Sequence, residues 1–175
     1  MVSFDEQAIL DNGAYIYNQR AEIERIADEI CEKGFDSIFF TSSGGSLAMM
    51  QPFDYMVSVM SDIPVQSQVS ADFLTVGNRR IGKGTLAFMA SKSGDTKETV
   101  AAAKAAKDAG CTIVSTLGVD GSPLGELSDY GVIYKQGRPM ELVLYLLIGK
   151  ILKNRGFFDD YDRFADELVN LPAAL

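Results

Sequence analysis

Histidine and tryptophan are absent from this 175-residue sequence, and cysteine is scarce, with Cys31 and Cys111 as its two examples. Without histidine, the chain lacks the usual general base near neutral pH and every Ser-His or Cys-His nucleophile pair. The two cysteines form no CxxC pair, so zinc finds no ordinary ligand set. We therefore expect two reduced cysteines, no bound metal and no cofactor.

Positive charge is also scarce, because 16 Lys and Arg stand against 24 Asp and Glu and give a formal net charge of -8. Arg79 and Arg80 form an isolated basic pair, and no basic stripe follows any predicted element. A nucleic-acid backbone could not be neutralised by such a surface. We expect no nucleic acid as a partner.

Long apolar runs are missing as well, since none approaches the roughly 20 residues that span a membrane. Residues 1–6 carry Asp5 and Glu6, where a signal peptide would carry basic side chains. The sequence therefore predicts a soluble, cytoplasmic protein with no membrane partner.

The residues that are present show strands and helices in alternation. Short apolar runs predict strands at 37–41, 85–90 and 112–116, with weaker strands at 65–69 and 132–134. Apolar residues at helical spacing predict helices at 1–34 with a break near Gly13, and at 47–60, 71–74, 96–109, 141–153 and 161–171. Apolar strands without alternation are typical of a parallel sheet covered on both faces. We expect an α/β fold, a three-layer α-β-α sandwich with a doubly wound, mainly parallel sheet.

No repeat, low-complexity segment or linker interrupts this pattern. A chain of this length can bury one ordinary core. We expect a single domain over residues 1–175, with an N-terminal helix at 1–34, a sheet core at 36–155 and a terminal helix at 157–175.

Two strand-to-helix turns are rich in Gly, Ser and Thr: Thr41-Ser42-Ser43-Gly44-Gly45-Ser46 and Ser91-Lys92-Ser93-Gly94-Asp95-Thr96. In a doubly wound sheet such turns lie at the carboxyl ends of strands, where helix N-termini offer free N–H groups to an anion. The same residues also serve as ordinary helix caps and turn formers, which is the alternative interpretation. Neither turn fits the Walker A or GxGxxG pattern, which disfavours a nucleotide.

Residues 91–99, Ser-Lys-Ser-Gly-Asp-Thr-Lys-Glu-Thr, resemble the S-x-S-G-x-T-x-[ED]-T signature of SIS (sugar isomerase) domains, and residues 43–46 resemble their first loop. The resemblance extends over about 36–152. It implies that a sugar phosphate is held by Gly45, Ser46, Ser91, Ser93 and Thr96 together with the backbone of Lys92.

Within that family the chain is most similar to the N-terminal half of fructosamine-6-phosphate deglycases. The likeness covers the two loops, an acidic residue that opens a helix near Glu141, and residues 166–172. Ser43 departs from it, because cysteine is usual there. The resemblance implies a sugar 6-phosphate ligand, such as fructosamine 6-phosphate or fructose 6-phosphate.

Deglycases of this kind carry two SIS domains, and their catalytic Glu and His lie in a G-E-x-x-H-G-P segment of the second. This sequence has no such segment. We expect a first domain of a deglycase or related phosphosugar isomerase that is inactive alone. A standalone, non-catalytic module that senses sugar phosphate is the alternative.

Glu141 is the remaining acid with a candidate catalytic role, because the first turn of its helix also faces the carboxyl edge. Complementing the helix dipole is the alternative role. SIS domains typically pair, and the N-terminal helix and residues 142–152 carry more apolar surface than one small sheet needs. We therefore expect a homodimer.

Overall fold

A five-stranded parallel sheet forms the centre of the chain, for which the computed structural model describes residues 6–134 and 140–170. The strands, in chain order, are β1 Ser37–Ser42, β2 Val65–Val69, β3 Thr85–Ser91, β4 Thr112–Leu117 and β5 Tyr130–Ile133. Their order across the sheet is β2-β1-β3-β4-β5, and all four pairings are parallel. The predicted parallel sheet is confirmed.

Helices cover both faces of the sheet. On one face lie α1 Glu6–Tyr17, α2 Arg20–Lys33, α3 Gly45–Met60, α7 Met140–Asn154 and α8 Tyr161–Leu168. On the other lie α4 Ser70–Val76, α5 Lys97–Asp108 and α6 Pro123–Leu127. The chain is therefore a three-layer α/β sandwich, because the apolar sides of helices bury both apolar faces of the sheet.

The central strands are buried on both faces, as their unbroken apolar runs predict. All seven residues of β3 are buried, and so are the last five residues of β1. The edge strand β2 differs, because its sequence Val-Gln-Ser-Gln-Val is polar and only half-buried. Each strand boundary lies within about two residues of the prediction.

Helix α7 is the core of the thicker helical layer. Its apolar residues from Leu142 to Leu152 are buried, and it packs against α1, α2, α3 and α8. The apolar surface of residues 142–152, which the sequence analysis assigned in part to subunit association, is therefore covered within the chain itself. That part of the reasoning for a homodimer is wrong, although the homodimer itself is a separate question.

The predicted break near Gly13 is also wrong in position, because the two N-terminal helices are separated at Asn18 and Gln19. Gly13 is buried within α1, beside a small gap that it shares with Leu142 and Leu146 of α7. At the break, the Gln19 side-chain amide donates a hydrogen bond to the Ile133 carbonyl at 3.2 Å, which ties the turn to the end of β5.

Helix α8 is fastened to the body by a polar cluster. Tyr161 is fully buried, and its hydroxyl lies 3.0 Å from Glu24 Oε1 and 3.1 Å from the Leu146 carbonyl. Arg20 donates to Glu24 and to Asp166 at 2.6 Å each. Burial, with the nearby Glu24 charge, raises the pKa of Tyr161, so this hydroxyl stays protonated as a donor. The predicted terminal helix is thus present at Tyr161–Leu168, while 171–175 lie outside the described residues.

Helix α6 was not predicted from the sequence, because five residues carry too little periodicity to be recognised. Across the part of the chain that the structure describes, no helix combines the length and apolar composition needed to cross a lipid bilayer.

Candidate functional site

Three loops meet at the carboxyl edge of the sheet. They follow β1, β3 and β4, which are neighbours in the sheet and therefore end side by side. The first loop is residues 43–46, the second is residues 91–96 and the third is residues 118–122. The sequence predicted the first two and missed the third.

The first loop opens α3 with two exposed glycines. Gly44 adopts a φ of 55°, a left-handed conformation that favours glycine, and Gly45 begins the helix. The first N–H groups of α3 have no intrahelical acceptor, and the partly exposed Ser46 adds a hydroxyl beside them. No acidic residue lies in the first turn of α3. This helix end can therefore receive an anion.

The second loop is braced from inside by Ser91. This residue is only 1% exposed, and its hydroxyl accepts a hydrogen bond from the Gly94 amide at 2.9 Å. The same oxygen lies 3.0 Å from Thr96 Oγ1. Lys92 and Ser93 are exposed, and Thr96 is half-buried at the start of α5. The predicted phosphate residues of this loop thus differ in accessibility, with Ser91 below the surface.

The third loop and the start of α6 support the second loop. The Gly118 amide donates to the Ser91 carbonyl at 3.2 Å, and the Leu124 amide donates to the Gly94 carbonyl at 2.9 Å. The buried Ser122 side chain occupies the space that a Cβ at Gly94 would need. Only a glycine at position 94 therefore fits. The sequence signal for this contact was slight, since Ser122-Pro123 looks like any helix start.

The first and second loops are tied by hydroxyl contacts. Thr99, which is fully buried on α5, donates a long hydrogen bond to Ser43 Oγ at 3.4 Å. The Ser42 hydroxyl donates to the Ala90 carbonyl, which joins the ends of β1 and β3. Thr99, the last residue of the 91–99 motif, therefore links the two loops.

Charges of both signs lie at the loops, with one further exposed acid, Asp120, in the third loop. Lys92 and Lys97 carry positive charge, Asp95 and Glu98 carry negative charge, and all four are exposed. Since helices after parallel strands run back from the carboxyl edge, α3 and α5 both begin there and direct the positive ends of their dipoles to it. An anion would therefore be bound by amides and hydroxyls rather than by net charge.

Glu141 lies at the same edge of the sheet but near its far end. It is the second residue of α7, and its charge, after burial as the main cause, raises the pKa of Tyr134. Tyr134 directly follows β5, which is two strands from β3. At about 4.8 Å per strand, β5 is about 10 Å from β3 across the sheet. Within residues 6–134 and 140–170, no group of three His, Cys, Asp or Glu residues is placed to hold a metal.

Replacing Gly94 by alanine is expected to disturb the second loop severely. A left-handed conformation costs a non-glycine residue about 1 to 2 kcal/mol, and the overlap with Ser122 adds about 1 to 3 kcal/mol of overpacking. Urea denaturation measures the lowered free energy of unfolding. Gly121→Ala is the matched control, because Gly121 has a φ of 63° but open space around its Cβ position. Equal losses in the two variants would contradict the Gly94–Ser122 contact.

Comparison with known proteins places these loops in a family. The SIS domain model matches residues 33–148. The chain is 31% identical over 155 residues to the isomerizing glutamine–fructose-6-phosphate aminotransferase of Thermotoga maritima, covering 82% of this chain and 25% of that protein. It is 30% identical over 117 residues to the fructosamine deglycase FrlB of Bacillus subtilis, covering 66% of this chain and 36% of that protein.

Among solved structures, a candidate phosphosugar isomerase of Bacillus subtilis superimposes with a TM-score of 0.80 at 25% identity, covering 87% of this chain and 49% of that one. The chain therefore spans about a quarter to a half of the length of these relatives. The family model covers well over half of the chain, and the site geometry lies within its range. The chain belongs to the SIS domain family.

Proposed function

We propose that this chain binds a sugar 6-phosphate, with its phosphate held between the first and second loops. The observation that carries the proposal is the meeting of two helix N-termini, each preceded by a Gly- and Ser-rich loop, at the ends of the adjacent strands β1 and β3. The Thr99–Ser43 contact holds the two loops together. SIS domains as a family bind phosphosugars, which supports the same ligand class.

The proposed contacts follow from accessibility and donor chemistry. Gly45 and Ser46 offer amides and a hydroxyl from the first loop, and Ser93 and Thr96 offer hydroxyls from the second. Lys92 contributes its backbone amide, since its exposed ammonium group is well solvated. The exposed Asp95 is excluded from the contact set because a carboxylate repels a phosphate dianion.

For the sugar, we propose fructosamine 6-phosphate or fructose 6-phosphate. The relatives are an aminotransferase acting with fructose 6-phosphate and a fructosamine deglycase, by their names. The chain would act as the first SIS domain of such a deglycase or isomerase. Holding the phosphate would fix carbons C1 and C2 of the sugar beside a base, which is catalysis by positioning. Two free cysteines, Cys31 and Cys111, suit the reducing cytoplasm as its setting.

Removal of the loop hydroxyls tests the phosphate site. Ser93→Ala combined with Thr96→Ala should weaken binding of fructose 6-phosphate at least tenfold, because each charge-assisted hydrogen bond contributes about 1.5 to 3 kcal/mol. Isothermal titration calorimetry measures the affinity. Ser58→Ala serves as the control, since its hydroxyl donates to the Tyr55 carbonyl on the exposed side of α3. If the double variant and the parent chain bound fructose 6-phosphate with equal affinity, the assignment of the phosphate site would be refuted.

Turnover separates an enzyme from a binding module. The chain has no histidine to act as a general base. We therefore expect the chain alone to bind fructose 6-phosphate and fructoselysine 6-phosphate without converting either one. A coupled assay for glucose 6-phosphate checks this, with an active deglycase as the positive control. Conversion that disappears in Glu141→Gln would instead make Glu141 a catalytic residue.

We also propose that the chain forms a homodimer, through a surface around the β2 edge. Most exposed large apolar side chains of the described residues lie there, on α3, β2 and α4: Tyr55, Val59, Val69, Leu74 and Val76. Asp62 and Asp72 are the charged residues between Tyr55 and Val76. The apolar side chains of this surface could pack against a second copy of the same surface across a two-fold axis.

A charge placed on this surface should separate the subunits. Tyr55→Glu combined with Val59→Glu would bury two carboxylates in the proposed interface, which costs several kcal/mol unless they are paired. Sedimentation equilibrium should then report the mass of one chain for the variant and of two chains for the parent. Val169→Glu, at a comparably exposed valine after α8, should keep the dimer. A monomeric parent chain would rule out the homodimer.

A further inference from the structure

A cleft lies at the amino edge of the sheet, at the opposite end of the strands from the three loops. Its volume is about 260 Å³, and it is lined by the starts of β1 and β2 and by the segment between α4 and β3. Clefts for drug-sized ligands measure about 300 to 1,000 Å³, so this one suits a smaller molecule. A strand rises about 3.3 Å per residue, so the six residues of β1 separate the cleft from the first loop by about 20 Å. A ligand in the cleft would not touch a phosphate at the carboxyl edge.

Two opposite charges line this cleft without pairing. One is Arg80, half of the basic pair that is isolated in the sequence, and the other is Asp36, which precedes β1. Both residues are exposed, and neither side chain has an ion-pair partner in the part of the chain that the structure describes. The Asp36 carboxylate packs against Gly84, where a Cβ would overlap it, and the Asp36 amide donates to the Gly84 carbonyl at 2.8 Å. The position of Asp36 is therefore fixed while its charge is left unpaired.

The orientation of a third polar side chain in the cleft, Gln66, follows from its hydrogen bonds. The Arg80 backbone amide, which can only donate, lies 3.1 Å from Asn78 Oδ1. The oxygen of Asn78 therefore faces Arg80, and its Nδ2 donates to the side-chain oxygens of Gln66 and Gln68 at 3.2 Å each. Since the Gln66 oxygen is used by Asn78, its nitrogen is at the other side of the amide. The Gln66 Nε2 protons have no acceptor within residues 6–134 and 140–170, so they are free to donate to a ligand.

We propose that this cleft binds a free α-amino acid, whose carboxylate is held by Arg80 and Gln66 and whose ammonium group is held by Asp36. The planar guanidinium matches the two oxygens of a carboxylate, and the Gln66 amide adds a further donor. A ligand with one charge alone would leave either Arg80 or Asp36 unpaired, whereas a zwitterion satisfies both. Pro64 and Val65 line the same cleft and offer apolar surface to the side chain of the amino acid. The site is independent of the proposed phosphate site.

Titration with L-valine, followed by NMR of the backbone amides, tests this site. We expect saturable shifts at Asp36, Gln66 and Arg80, with a dissociation constant on the order of 1 mM because both charged side chains are exposed to solvent. Isovalerate lacks the ammonium group of L-valine and isobutylamine lacks its carboxylate, so each should bind about fivefold more weakly. If isovalerate bound as tightly as L-valine, the site would be one for simple anions and the proposal would be overturned.

Substitution of the two charged residues tests the contacts. Arg80→Gln and Asp36→Asn each remove one charge, and each should weaken L-valine binding about fivefold. Arg79→Gln is the matched control, because Arg79 is the exposed neighbour of Arg80 but does not line the cleft. Its affinity should change less than about twofold. Equal affinities of Arg80→Gln and Arg79→Gln, in variants that melt at the temperature of the parent chain, would overturn the assignment.

A competition experiment separates this cleft from the carboxyl edge. L-valine should still bind when fructose 6-phosphate is saturating, because about 20 Å separates the two sites. Displacement of L-valine by fructose 6-phosphate would place the amino acid at the three loops and would overturn the proposal. Absence of L-valine binding by the parent chain would overturn it as well.

Discussion

The parallel alignment of β1, β3 and β4 is the constraint on which the candidate site depends. Parallel neighbours require a crossover connection, and in this chain each crossover contains a helix that begins at the carboxyl edge. The loops before α3 and α5 are therefore brought together by the pairing of their strands, not by attraction between the loops. The hydroxyl contacts of Thr99 and Ser42 then refine an arrangement that the sheet has already imposed.

Features encoded over a few neighbouring residues could be predicted from the sequence. The apolar runs of β1, β3 and β4 gave strands close to those observed, and the Gly-Ser turns after β1 and β3 gave the two loops. The family resemblance is confirmed over residues 33–148. These predictions succeeded because each feature requires particular residue types at neighbouring positions. A strand that is buried on both faces needs an unbroken apolar run, and a left-handed turn needs glycine. The ligand, the individual phosphate contacts and the domain boundaries stay predictions.

Features that depend on packing between distant residues could not be predicted. Ser91 and Ser93 look alike in the sequence, yet one is buried and the other exposed, because Ser91 is the last residue of β3 and pairs with Leu117 of β4, whereas Ser93 lies beyond the strand. The apolar stripe of α7 predicts an association surface, because nothing in its residue types indicates that four other helices of the same chain cover it. At the break after α1, Gln19 donates a hydrogen bond to Ile133, a residue 114 positions away.

The contact between Gly94 and Ser122 has a consequence for how such a site can change over generations. A Cβ at position 94 would overlap the Ser122 side chain, so position 94 cannot gain a side chain while Ser122 is unchanged. The two are 28 positions apart and belong to different loops, which means that a new second loop is tolerated only with a compatible third loop. Laboratory libraries aimed at new ligands would accordingly do better to vary positions 94 and 122 as one unit than to randomise the second loop by itself.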